Sequence, residues 1–225
     1  MSVYQNQRTN MVDSQLRTNE VTDHRILQAM LDLPREKFVP EDKVGVAYMD
    51  RDILVDRDKE GFDRYMMSPV AIARLTQLAS VDEKDMVLVV GCATGYVAAL
   101  LGRLADSVVC LEQDERLEKA ASDRLEELEC DNAATVIGHL ADGYFKEGPY
   151  DVILVNGGVE VIPQSLFEQL KDGGRLVAVE LSQENVGRAH LYRKIGDEVG
   201  ENRVSFDAQT HLLPGFAQVC SFTFN

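Results

Sequence analysis

The feature that most constrains this chain is the apolar run Met86–Val90 (MVLVV), which ends at Gly91 and is the first of a series. An unbroken apolar run, rather than an alternating one, is what a parallel strand covered on both faces requires. Further runs follow at Ser107–Leu111, Ala134–Ile137, Asp151–Val155 and Arg175–Val179. Between them Tyr96–Leu104, Arg116–Leu128 and Pro163–Leu170 have helical spacing and helical length. Strand, helix, strand, helix in this rhythm predicts an α/β fold, a doubly wound and mostly parallel sheet with helices on both faces and right-handed crossovers. Ala189–Ile195 and Ala217–Phe224 alternate instead, and are expected as antiparallel strands that complete one sheet edge.

The stretch before this core reads differently. Thr9–Phe38 is predicted helical, with Met11, Leu16, Ile26, Leu27, Met30 and Leu31 recurring at three- and four-residue spacings. Thr22 or Asp23 is placed to cap a helix beginning at His24, and Pro34 to stop it. Asp50–Arg64 (DRDILVDRDKEGFDR) is dense in charge of both signs and is expected as an exposed loop or short hairpin. Ser68-Pro69 then opens another helix, with Ile72, Leu75 and Leu78 turned inward. No repeat or linker divides the 225 residues, so one domain is expected: 1–80 as a helical extension and substrate loop, 81–225 as the core.

Charge and cysteine usage narrow the function. Lys and Arg number 23 against 38 Asp and Glu, a formal net charge of −15. That balance excludes a general polyanion binder and disfavours docking on anionic lipid. The polar start MSVYQNQRTNMVDSQLR has no apolar stretch of a leader, no run is long enough to span a bilayer, and a cytoplasmic setting is expected. Cysteines at 92, 110, 130 and 220 have no metal or disulfide spacing, and Cys110 and Cys220 are expected as buried, inert thiols. Histidines 24, 139, 190 and 211 are scattered, so no metal site is expected.

The chemistry gathers at strand ends. The first core strand runs into Gly91-Cys92-Ala93-Thr94-Gly95 directly before a helix, a turn in which glycines let the chain bend tightly and a ligand approach the backbone. The next strand ends at Glu112-Gln113, about twenty residues on, where a carboxylate can accept from both hydroxyls of a ribose. After the third strand comes Asp142-Gly143, placed to meet an adenine amino group. Val97 and Ala98 after the last glycine break a dinucleotide signature, and no Walker loop exists. The set points to an adenosyl ligand, and S-adenosylmethionine fits best.

Val12-Asp13-Ser14-Gln15-Leu16, Arg25–Met30, Pro34-Arg35-Glu36-Lys37-Phe38-Val39-Pro40-Glu41 and Ala47-Tyr48-Met49-Asp50 resemble the protein-L-isoaspartate O-methyltransferases. So do Gly138–Tyr144, Pro149-Tyr150-Asp151 and Leu170–Leu176, and the resemblance covers Met11 to about Val179. It implies a Rossmann-like class I S-adenosylmethionine-dependent methyltransferase fold. It also implies methyl transfer to the free α-carboxylate of L-isoaspartyl residues in damaged proteins or peptides, the first step of their repair. No nucleic-acid or membrane partner is expected. A carboxylate with an ordinary pKa near 4 is already ionised at neutral pH, so the reaction needs alignment and dryness rather than a general base.

Three departures from the family pattern concern the site. Where active members carry Gly-Gln-Thr-Ile-Ser-x-Pro, this chain reads Asp63-Arg64-Tyr65-Met66-Met67-Ser68-Pro69, with Tyr65 at the threonine position, Met67 at the serine position and Ser68 one place late. Met67 and Ser68 are therefore the candidates beside the transferred methyl. The fourth core strand ends in Asn156-Gly157-Gly158-Val159 instead of small alanine-rich residues; Asn156 is expected at the methionine end of the cofactor, with space left by the glycines. His211–Phe216 echoes the family's C-terminal element loosely. Arg51, Arg57 and Arg64 are candidates to neutralise the substrate carboxylate. The alternatives are transfer to another acid or nucleophile, and a binding module that keeps the fold without transfer.

Overall fold

The computed structural model describes residues 3–182, 187–196 and 198–218. Its centre is a seven-stranded sheet in the order β5-β4-β3-β6-β7-β8-β9. The strands are β3 (Met86–Val90), β4 (Ser107–Glu112), β5 (Ala133–Ile137), β6 (Tyr150–Val159), β7 (Leu170–Leu181), β8 (Gly187–Ile195) and β9 (Glu198–Asp207). Pairings from β5 across to β7 are parallel, and β7–β8 and β8–β9 are antiparallel. The five apolar runs of the sequence are the five parallel strands. Their residues alternate between two buried clusters: Val87 and Val89 face the N-terminal helices, while Leu88 and Val90 face the side that holds Leu166 and Leu213. Burial on both faces is why β3, β4, β6 and the run Arg175–Val179 of β7 show no polar alternation, while β5 is a half-exposed edge strand.

The crossover helices are α4 (Tyr96–Leu101), α5 (Glu115–Glu127) and α6 (Gln164–Glu168). Before the sheet come α1 (Val3–Met11), a π-helical turn Val12–Leu16 and α2 (His24–Asp32), then the antiparallel hairpin β1 (Ile53–Arg57) and β2 (Asp63–Met66), and α3 (Pro69–Ala79). Asp23, not Thr22, caps α2 by accepting from the Arg25 N–H at 2.8 Å. Ser68 caps α3, with Pro69 in its first turn. Arg35, fully buried, donates to the carbonyls of Ala47 (2.7 Å) and Met67 (2.5 Å), so the Pro-Arg-Glu-x-Phe element of the sequence locks the hairpin's exit to the helical extension.

Two expectations change at the C-terminal end. β9 was not legible as a strand, because its residues are polar and it forms the outer edge of the sheet among the described residues. The expected strand Ala217–Phe224 lies mostly outside the described residues. Residues 208–218 instead run along the end of β6: Gly158 N–H donates to His211 O at 2.8 Å, and Leu213 N–H donates to Gly158 O at 2.8 Å. Among the described residues no helix is long and apolar enough to cross a membrane.

Candidate active site

The order of strands reverses between β3 and β6, so the chain leaves their carboxyl ends in opposite directions and opens a crevice there. The loop after β3 forms the crevice floor. Gly91 and Gly95 sit at φ +80° and +94°, and a Cβ on Gly95 would lie 3.2 Å from the Ala121 Cβ of α5. Ala93 also adopts a left-handed conformation, φ +49°, at a cost of roughly 1–2 kcal/mol for a residue with a Cβ. Thr94 Oγ1 donates to Phe38 O at 2.7 Å, which directs it to the helical extension rather than to a ligand. Burial pushes the Cys92 thiol well above its ordinary pKa and keeps it protonated.

Glu112, at the end of β4, lies under this loop and is fully buried. Its Oε1 accepts from Arg64 Nη1 (2.5 Å) and from the N–H groups of Gln113 (2.9 Å) and Asp114 (3.3 Å). Its Oε2 accepts from Arg64 Nη2 (2.8 Å) and from the Ala93 N–H (2.9 Å). An ionised carboxylate offers about four lone-pair directions, so this one is saturated. Arg64 comes from β2 and is only 2 % exposed, which corrects the expectation of an exposed charge. Burial works against its charge, and the Glu112 carboxylate outweighs burial and raises its pKa. The signal lay in strand parity: along Asp63–Met66 the buried positions are Arg64 and Met66, so Arg64 shares the inward face with an apolar residue.

Asn156, on β6 across the crevice, donates to Gly91 O at 2.9 Å while its Oδ1 is buried without a partner. The space left by the neighbouring glycines is filled. A Cβ on Gly157 would stand 2.5 Å from Leu213 Cγ, one on Gly91 would stand 3.2 Å from both Leu213 methyl carbons, and one on Gly158 would stand 2.6 Å from Leu181 Cδ1. Between Arg64, Tyr65, Met67, Asn156 and Leu213 lies a cavity of about 10 Å³. That holds about one water, whereas sites for small ligands span about 300–1,000 Å³. The Tyr65 ring stacks on His211 with centroids 3.5 Å apart, closing the hairpin against residues 208–218.

A much larger cleft of about 720 Å³ lies on the far side of Met67 and Ser68, lined in part by Arg51, Asp52, Ser68, Arg74 and His211. Met67 belongs to the small cavity and Ser68 to the cleft. Ser68 Oγ accepts from the Ala71 N–H at 3.3 Å. Asp52, which sequence reasoning passed over, gathers the Ser68 N–H (2.8 Å), Thr210 Oγ1 (3.0 Å) and His211 Nδ1 (3.2 Å) on one carboxylate. Of the arginines considered for a substrate carboxylate, Arg57 pairs with Asp63 and Arg64 with Glu112, and Arg51 faces the cleft. Asp142 is exposed beside β5, the Gln169 amide packs on Gly143 while bonding Asp142 O and the Tyr144 N–H, and Gln113 is half-buried with its N–H on Glu112.

Comparison with known proteins identifies the family. Residues 6–209 match the model of the family described as protein-L-isoaspartate(D-aspartate) O-methyltransferase. The chain belongs to that family. It is 38% identical over 172 residues to the protein-L-isoaspartate O-methyltransferase of Opitutus terrae, covering 76% of this chain and 72% of that protein. To its counterpart in Petrotoga mobilis it is 31% identical over 205 residues, covering 91% and 92%. Among solved structures, a protein-L-isoaspartate O-methyltransferase superposes with a TM-score of 0.81 at 27% identity, over 92% of this chain and 66% of that one.

Proposed function

We propose that this methyltransferase transfers a methyl group to the free carboxylate of L-isoaspartyl residues in damaged proteins or peptides, in the cytoplasm. S-adenosylmethionine is the methyl donor of the family, and bound in the crevice it supplies an electrophilic methyl. The donor set suits it: glycine-loop backbone, a carboxylate at Glu112 for the ribose, Asp142 at the adenine side, and the unpartnered Asn156 Oδ1 toward the amino-acid end. The volume is another matter, since Arg64 and Leu213 occupy it in this conformation.

The observation that carries the reading is the placing of Met67 and Ser68, consecutive residues that border the crevice and the peptide-sized cleft respectively. Met67 is 1% exposed and excludes water from the junction between the two spaces. Ser68 accepts from a backbone N–H and retains its own proton to donate to a substrate carboxylate oxygen. Arg51 adds positive charge in the cleft of an otherwise acidic protein. The substrate arrives ionised, so these residues orient it and no base is required.

Transfer of labelled methyl to an isoaspartyl peptide, with the ordinary aspartyl peptide as control, tests the reading. Incorporation only into the isoaspartyl peptide supports it, and equal silence with both refutes it. A second reading, a cofactor-binding member without transfer to isoaspartate, draws on the missing hydroxyl at Met67. If Met67→Ser creates activity in a silent parent, that second reading is the better one.

A further inference from the structure

We propose that Arg64 is the residue that sets cofactor affinity: its guanidinium occupies the ribose position, and the β1–β2 hairpin must lift it away before the adenosyl group enters. This rests on the methyl donor assigned above. Glu112 has no acceptor to spare. Both Glu112 oxygens are taken, two contacts coming from the Arg64 fork and three from backbone N–H groups. The backbone donors are fixed by the β4–α5 turn and the glycine loop, so only Arg64 can leave. Until it does, two ribose hydroxyls find no free lone pair on this carboxylate. Arg64 Nη2 also lies 3.5 Å from where a Cβ on Gly91 would sit, so the side chain covers the backbone that a ligand must approach.

The hairpin is held shut along its length, and Arg116 of α5 donates to Arg57 O in its first strand at 2.7 Å. At its tip, the Lys59 N–H donates to Asp114 Oδ2 at 2.9 Å. At its middle is the bidentate Arg64–Glu112 pair, with both side chains almost fully buried. At its base, Tyr65 stacks on His211, whose segment also carries Leu213 over Gly91 and Gly157. Lifting the hairpin therefore removes the guanidinium and frees the segment carrying the plug. The open form is the binding-competent one, and apparent affinity falls by the fraction of time it is populated. The hairpin offers the carboxylate a charge in place of the ligand, so the pocket never holds a bare buried anion.

The test is calorimetric titration of S-adenosylhomocysteine into the wild-type protein, Arg64→Met and Tyr65→Ala. Arg64→Met keeps an unbranched apolar stem but ends two atoms short of the guanidinium nitrogens and has no donors to Glu112, and it is expected to bind about tenfold or more tightly than wild type. Tyr65→Ala leaves Glu112 and Arg64 intact, removes the stack together with the Tyr65–Asp63 side-chain contact, and is expected to tighten binding about two- to tenfold. In the wild-type protein, saturating S-adenosylhomocysteine is expected to speed amide exchange at residues 57–66. Unchanged or weaker binding by both variants, or slower exchange in the hairpin, overturns the gate; so does absence of binding by every variant. If Arg64→Met does not fold, Tyr65→Ala and the wild-type exchange decide. Binding without methylation of the isoaspartyl peptide would count against the assigned substrate and leave the gate standing.

Discussion

Gly157 and Leu213 offer the sharpest check on the closed crevice. In Gly157→Ala the new methyl would lie 2.5 Å from Leu213 Cγ and 2.8 Å from its Cδ2, inside any real carbon–carbon contact. Leu213 cannot simply step aside, because its N–H is held by Gly158 O at 2.8 Å and its side chain is 6% exposed. Overpacking of this kind costs about 1–3 kcal/mol, against the roughly 0.5–1 kcal/mol that alanine otherwise gains over glycine in a strand. Leu213→Ala alone loses the packing and is expected to cost about 2–4 kcal/mol. In the double variant the clash is gone and the added methyl fills part of the void. The loss in the double variant should therefore fall short of the sum of the two single losses by about 1–2 kcal/mol. Urea denaturation of the four proteins completes the cycle. Additivity within about 0.5 kcal/mol would mean that Leu213 does not rest on Gly157, and the crevice would be open.

Other residues carry separate expectations. Ala93→Gly relieves a left-handed conformation, so it should leave stability unchanged or raise it, unlike the usual loss of about 0.5–1 kcal/mol; a clear loss in chemical denaturation would show that Ala93 is unstrained. Burial of the Asp114 carboxyl favours its neutral form, but N–H groups of Lys59, Arg116 and Leu117 and the Arg116 side chain outweigh that and hold its pKa at about 2. Because the folded value lies below the ordinary 3.8, this stabilisation is complete above about pH 4 and is lost as pH falls towards 2. Asp114→Ala should remove a cap worth about 0.5–2 kcal/mol at neutral pH, and the deficit should vanish in melts near pH 2. Burial raises the thiols of Cys92 and Cys110, so neither should react with a thiol reagent at pH 8 until the protein unfolds.

The parallel strands and their helices were legible because a sheet buried on both faces must be written in continuous apolar runs, and Met86–Val90 appears at those bounds in both sequence and structure. Helix starts were legible where a capping residue precedes them, as at Asp23 and Ser68. β9 was not, since a polar edge strand leaves no such imprint. That the glycine loop, Glu112 and Asn156 lie together was legible because the carboxyl ends of neighbouring parallel strands meet there. Asp52 was missed. Its partners Thr210 and His211 lie more than 150 residues away, and no local spacing announces a pairing of that kind.

What the sequence by itself determined is the α/β frame, the position of the crevice and the family, all of which follow from local pattern and short-range spacing. What only the tertiary structure decided is the state of that crevice. Arg64 read as one more charge in a charged segment, and Leu213 as a loose echo of a family element. Packing the hairpin and residues 208–218 onto the sheet turned the first into the partner of Glu112 and the second into the filling over Gly157. The physical reason is that a buried carboxylate must be satisfied by whatever donor is nearest in space. Nearness in space is settled by how distant segments dock, and no window of sequence contains it.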